Sequence, residues 1–155
     1  MGFEMDFRKS FDFITPQLES LFVSGNASWI HSRVKLDDNS GIQTSNERPL
    51  EGQSPYVYNL QIGYDHPESL WGITTLYNVF GPRITEVGAL GAPDNYQLPL
   101  HRIDSVGYIR IGQMQIGLQA KNLLDAPFKT MTGNQIVEER FAGRSYAFRL
   151  RWMPL

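Results

Sequence analysis

Large apolar residues recur at every second position along most of this chain, which is the period of a strand with one apolar face. In "GFEMDFRKSF", Phe3, Met5 and Phe7 fall on one side and Glu4, Asp6 and Arg8 on the other. In "LFVSGNASWIHSRV", Leu21, Val23, Gly25, Ala27 and Trp29 alternate with Ser24, Asn26 and Ser28. "YVYNLQIGYD" sets Tyr56, Tyr58, Leu60, Ile62 and Tyr64 against Val57, Asn59, Gln61, Gly63 and Asp65. "LWGITTLYNVFG" carries Trp71, Ile73, Thr75, Tyr77 and Val79 opposite Gly72, Thr74 and Asn78. "MQIGLQAKNLL" places Met114, Ile116, Leu118 and Ala120 against Gln115, Gly117, Gln119 and Lys121. In "SYAFRLRW", Tyr146, Phe148, Leu150 and Trp152 alternate with Ala147, Arg149 and Arg151. "RIDSVGYIRIG" predicts a strand whose facing the pattern leaves open, and residues 128–138 predict a weak, polar one.

Turn signals separate these runs, and two longer links, about 37–54 and 82–99, are rich in Gly, Pro, Asn and Asp. The reading is an all-β antiparallel meander of about eight strands in one domain, residues 1–155. Two architectures share that pattern: a soluble barrel or sandwich that turns the apolar face inward to bind a ligand, and a membrane barrel that turns it outward. Several runs reach the 9–11 residues a tilted membrane strand needs. The polar face is rich in Gly, Ser, Asn, Gln and Thr and poor in Lys and Glu, as suits a barrel interior better than a water-exposed surface. Aromatics stand at strand ends (Tyr56, Tyr64, Trp71, Phe80 and Trp152), where a membrane barrel keeps its girdles.

Composition narrows the picture. The net charge is −2, against the basic excess of a nucleic-acid binder. There is no cysteine, which removes thiol catalysis, thiolate metal sites and disulfides. No apolar run approaches the ~20 residues of a membrane helix. The opening "MGFEMDFRKSF" has early acids and no apolar core, unlike a signal peptide.

Specific residues then resemble a family. "KNLLDAPF" at 121–128 resembles a turn near the end of TonB-dependent outer-membrane receptors, and "GRSYAFRLRW" resembles their closing strand. "RPLEGQSPYVYNLQIGYD", "LYNVFGPRITEVG" and "FEMDFRKSFDF" resemble earlier strand motifs of the same family, in order. The resemblance implies the C-terminal part of a receptor barrel for nutrient uptake, often of ferric siderophores, in the bacterial outer membrane. It implies no catalysis and no cofactor. The implied partners are outer-membrane lipid, the barrel assembly machinery, and the plug and upstream strands of the receptor. Full receptors have about 22 strands and a plug, which this length does not accommodate. Met153, Pro154 and Leu155 also follow Trp152, where the family tends to end on the aromatic.

On this reading Tyr146, Phe148, Leu150 and Trp152 form a lipid-facing assembly signal. Glu4, Asp6, Arg149 and Arg151 form a charge cluster on the lumen side. Residues 3–11 are expected to pair antiparallel with 145–152, closing a small eight-stranded barrel, with self-association of two copies through strand edges as the alternative. With eight strands and a periplasmic C-terminal end, the turns at 13–20, 66–69, 112–113 and 141–144 are expected outside, and the links at 37–54, 82–99 and 123–127 in the periplasm. Gly143 is expected at a reversal, with Arg144 free at the rim.

Candidate chemistry is sparse. His31, His66 and His101 lack partners at metal-ligand spacing. "GALGAP" has no strand, loop and helix context for phosphate. Asp104, Ser105 and nearby His101 form no recognisable nucleophile motif, and adjacent Glu138 and Glu139 point to opposite faces of a strand. No enzyme is expected.

Overall fold

The computed structural model describes residues 1–35 and 44–154. The part of the 37–54 link that falls in 36–43 lies outside the described residues. The fold is all-β and antiparallel, as the alternation predicts.

Thirteen strands are present among the described residues. Seven form the main sheet, in the spatial order β1 (Gly2–Ser10), β2 (Leu21–Ile30), β5 (Tyr56–Asp65), β6 (Trp71–Phe80), β9 (Leu100–Ile111), β10 (Met114–Lys121) and β13 (Ser145–Trp152). The remaining strands belong to the links. β3 (Val34–Lys35) pairs with β4 (Glu47–Arg48). β7 (Arg83–Glu86), β8 (Asn95–Gln97), β11 (Phe128–Thr132) and β12 (Gln135–Arg140) form a second sheet in the order β12-β11-β8-β7.

The register assigns every main-sheet side chain to a face, because directly opposed residues share one. Asp6, Asn26, Asn59, Asn78 and Arg102 form one row on the polar face. Lys9, Val23, Ile62, Thr75, Ser105, Ala120 and Tyr146 form one row across all seven strands on the other. The facing of β9 is settled: Ile103, Ile109 and Ile111 join the apolar face, and Val106 and Tyr108 the polar one. Phe80, expected in a girdle, lies on the polar face in the row of Val57 and Leu100, with the Arg83 guanidinium 4.6 Å from its ring centroid.

Three seams carry an aromatic ring directly opposite a glycine: Phe7 on Gly25, Phe22 on Gly63 and Tyr108 on Gly72. The ring lies where a β-carbon would stand; a Cβ on Gly25 would come within 2.9 Å of Phe7 Cε1, and one on Gly72 within 2.6 Å of Tyr108 Cε1. The rings shield backbone that glycine would otherwise leave bare.

The expectation of eight strands closing on themselves is corrected. Residues 128–138 leave the main sheet, split at Gly133 into β11 and β12, and pair with β8 instead. The main sheet therefore has seven strands, and β1 and β13 are its two open edges. In an antiparallel meander the first and seventh strands run the same way. Antiparallel pairing of 3–11 with 145–152 is thus excluded by direction.

The same change of parity inverts the expected topology. The short links (11–20, 66–70 and 112–113) all sit at the end where β13 finishes. The described parts of the long links (31–35 with 44–55, 81–99 and 122–144) sit at the opposite end, with all the extra strands.

Little of the protein is interior. The buried apolar residues among those described are Phe22, Val79, Ile84 and Leu100. The apolar face is bare: Phe3, Ile62, Leu118, Phe148 and Trp152 are each more than half exposed.

Candidate functional site

The candidate surface is the main sheet itself, with two faces of opposite chemistry. On the apolar face, side chains of β-branched and aromatic type stand at alternate positions because the pleat sends them there. At the long-link end Trp29 packs on Phe3 (ring centroids 6.1 Å apart) and on Tyr58 (5.1 Å), and Tyr58 stacks on Tyr56 (5.1 Å). The Tyr77 hydroxyl and His101 Nδ1 share a 2.7 Å hydrogen bond on the same side. At the short-turn end Tyr64 stacks on Trp71 at 4.7 Å, with His66 against the same indole at 6.2 Å. Between these aromatic ends the side chains are Met5, Leu60, Ile62, Ile73, Ile116, Leu118 and their neighbours, with no charge until Lys9.

On the polar face the middle row is a hydrogen-bonded ladder. Asn59 donates through Nδ2 to Asn26 Oδ1 at 2.8 Å, and Asn78 donates to Asn59 Oδ1 at 2.6 Å. Arg102 pairs with Asp104 at 2.8 Å. The Tyr108 hydroxyl reaches Asp65 Oδ1 at 3.5 Å across the gap left by Gly72. Sequence reading marked these asparagines only as polar alternates; the stagger of the strands gives each a different offset from its strand end, so no simple spacing announced the row.

Tyr146, Phe148, Leu150 and Trp152 share one exposed face of β13, aligned with Ala120, Leu118, Ile116 and Met114 of β10. Pairing continues one residue beyond the strand, with Met153 N donating to Gln113 O at 2.8 Å. Glu4, Asp6, Arg149 and Arg151 do lie on one common face. They are not a cluster within this chain. Glu4 faces Ser28 and Asp6 faces Asn26 at one edge; Arg149 faces Gly117 and Arg151 faces Gln115 at the other. Six seams separate the two pairs, about 29 Å at the usual strand spacing, and no ion pair among the described residues joins them.

The "NLLD" turn is built on left-handed backbone. Asn122 has φ 54° and Asp125 φ 52°, a conformation that Asn and Asp tolerate better than other side chains. Asn122 N donates to Asp104 Oδ1 at 2.9 Å, and Leu123 N donates to Ile103 O at 2.8 Å, which fixes the turn to β9. Gly143 has φ 74°, as a reversal there requires. Arg144 is not free: its Nε donates to Leu123 O at 3.1 Å.

The rejected chemistry has structural homes. Asp104 lies on the polar face, while His101 and Ser105 lie on the apolar one, so the three do not converge. Ser105 Oγ shares a hydrogen bond with Thr75 Oγ1 at 3.1 Å. His66 Nδ1 accepts from Glu68 N at 3.2 Å. Glu138 lies 3.4 Å from Thr130 Oγ1, and Glu139 pairs with Lys129 at 3.0 Å. No group of three metal-ligating side chains forms among the described residues. No helix among them is long and apolar enough to cross a membrane, which says nothing of strands. No family model, no curated protein and no solved structure matches the chain.

Proposed function

We propose that this chain forms part of the wall of an outer-membrane β-barrel that takes up a nutrient, in the manner of the TonB-dependent receptors its motifs resemble. The observation that carries the reading is the bare apolar face. Seven adjacent strands present alternating apolar side chains on one face of the sheet. An exposed apolar surface of that extent needs a partner, and lipid is the partner that also explains aromatics at both ends. From Tyr56 to Tyr64 the strand spans about 27 Å, near the height of the apolar band of such barrels.

The stagger supports the same reading. In the row that crosses all seven strands, Lys9 lies late in β1 and Tyr146 early in β13. The offset is roughly one residue per seam, which at about 3.3 Å per residue and 4.8 Å per strand is a tilt of roughly 35°, the tilt of membrane barrel strands. Placing the end of β13 in the periplasm puts the short turns there and the long links outside, the usual arrangement.

The open edges define the missing partner. Unpaired strand edges do not persist in lipid. Because β1 and β13 run the same way, an all-antiparallel barrel closes only with an odd number of strands between them. Those strands, outer-membrane lipid and the assembly machinery that reads the final aromatic strand are the proposed partners.

The test uses the three native tryptophans, Trp29, Trp71 and Trp152, which all stand on the apolar face. The purified chain is reconstituted into vesicles of brominated phosphatidylcholine. Strong quenching of tryptophan emission is expected. A monodisperse protein without detergent and an unquenched spectrum would instead favour a soluble ligand-binding sheet whose apolar face is covered by protein.

A further inference from the structure

The long links line an open cavity of about 340 Å³ bordered by β4, the start of β7 and Tyr96 of β8, within the size range of small-molecule sites. Ile30, at its floor, stands in the row of Gly2 on the polar side of the sheet. Three guanidinium groups, those of Arg33, Arg48 and Arg83, border this cavity, against one carboxylate, Glu47.

Two of the three are engaged. Arg33 pairs with Glu47. Arg83 donates through Nε to Gln97 Oε1 at 2.8 Å and rests on the Phe80 ring. Arg48 differs. Its Nη1 is buried and has no hydrogen-bond partner among the described residues. Gln53 lines the same cavity, and its Oε1 is buried and unpartnered in the same sense. A buried guanidinium donor and a buried amide acceptor each destabilise the fold until they are met. Their needs are opposite: the arginine wants an oxyanion and the glutamine oxygen wants a donor. Three prolines and Tyr96 supply much of the remaining wall, beside His31 and Ser32; the Ser32 hydroxyl already accepts from Leu50 N at 3.0 Å.

We infer that this cavity binds a small hydroxylated oxyanion, its phosphate or carboxylate held by Arg48 with Arg83 as a second positive charge, and a hydroxyl donating to Gln53 Oε1. The binding site stands on its own geometry; that its ligand is also the cargo rests on the wall reading above.

The experiment is titration calorimetry of the purified chain, in detergent and separately in buffer alone. The probes are glucose 6-phosphate, inorganic phosphate and glucose. Saturable binding of glucose 6-phosphate is expected, with inorganic phosphate about tenfold weaker and glucose undetectable. Arg48→Gln should weaken glucose 6-phosphate at least tenfold. Gln53→Leu should reduce it to the level of inorganic phosphate and leave inorganic phosphate unchanged. Arg110→Gln, on the distant short-turn half of the polar face, should change neither. Absence of saturable glucose 6-phosphate binding overturns the proposal, as does equal weakening by Arg48→Gln and Arg110→Gln, which marks a general charge effect. Binding that persists in a detergent-independent protein would leave the site standing and remove the wall. Lipid quenching without binding would do the reverse.

Discussion

Asn122 Nδ2 donates to Gly143 O at 2.9 Å, joining two positions 21 residues apart in the chain. The same side chain accepts from Ala126 N at 3.3 Å. One asparagine therefore holds both ends of the link that carries β11 and β12. Asn122→Ala loses both bonds and retains the left-handed backbone. It should lower stability by about 2–3 kcal/mol, with Asn122→Asp, which keeps the acceptor, losing about half as much. Urea unfolding followed by tryptophan emission measures both, and equal losses would contradict the donor's role.

Gly143 poses a purely backbone question, since a Cβ there would meet nothing within 4 Å. Gly143→Ala should cost about 1 kcal/mol, the left-handed penalty alone, and Gly143→Val somewhat more. Gly143→Asn should stay near wild type. Thermal melts of the three variants check the order; an alanine variant as stable as the native chain would show that the turn does not need its φ of 74°.

At Gly63 the problem is space. An added methyl would strike the Phe22 ring and approach Thr74 Oγ1 at 2.9 Å. Gly63→Ala should cost about 1–3 kcal/mol, the usual range for overpacking. Phe22→Ala should relieve most of that, so the double variant should be less destabilised than the sum. Strict additivity would mean that ring and glycine do not interact.

Adjacent positions on β13 separate the two faces. Phe148→Arg puts a charge on the apolar side and Ala147→Arg puts one on the polar side. In lipid vesicles the first should cost about 2–4 kcal/mol if it lies near mid-membrane and the second close to nothing. Folding titrations of both variants in lipid give the comparison, and equal costs would remove lipid from that face.

Tyr96 should titrate late. Burial raises its phenol above the usual 10.0, the Asp94 carboxylate adds to the rise, and Arg48 opposes it. The folded state thus holds this proton more tightly than the unfolded chain. The associated stability is complete below the ordinary tyrosine pKa and is lost as the pH climbs from there through the folded value. The ultraviolet difference titration between native chain and Tyr96→Phe should have its midpoint above 10.0. Arg48→Gln should move it higher still, and a midpoint at or below the usual value would refute the assignment.

Sequence periodicity exposed the two faces because each main strand repeats one parity, and the lateral order followed because the links that join neighbours return the chain beside itself. The facing of β9 stayed illegible because Ile103 and Ile109 stand at one parity and Val106 and Tyr108 at the other. The fate of residues 128–138 was hidden for a different reason. Thr130, Met131 and Thr132 pair with Gln97, Tyr96 and Asn95, a partnership across more than 30 positions that no local pattern announces. That one displaced segment changed the strand count from even to odd, and with it the closure and the set of links that share the end where β13 finishes. The Arg48 cavity was likewise out of reach, since the two-residue strands β3 and β4 offer no period to detect.

The ring-on-glycine seams bear on how this sheet avoids misassembly. A slip of one position exposes itself at once, because it exchanges the faces. A slip of two does not: every side chain keeps its face, and alternation is blind to the error. Phe7, Phe22 and Tyr108 are not blind to it, since each ring fits over one glycine and would meet a full side chain two places along. These three contacts act as notches that admit a single alignment at their seams. Their removal should yield a protein that still forms sheet but refolds into a mixture of strand offsets.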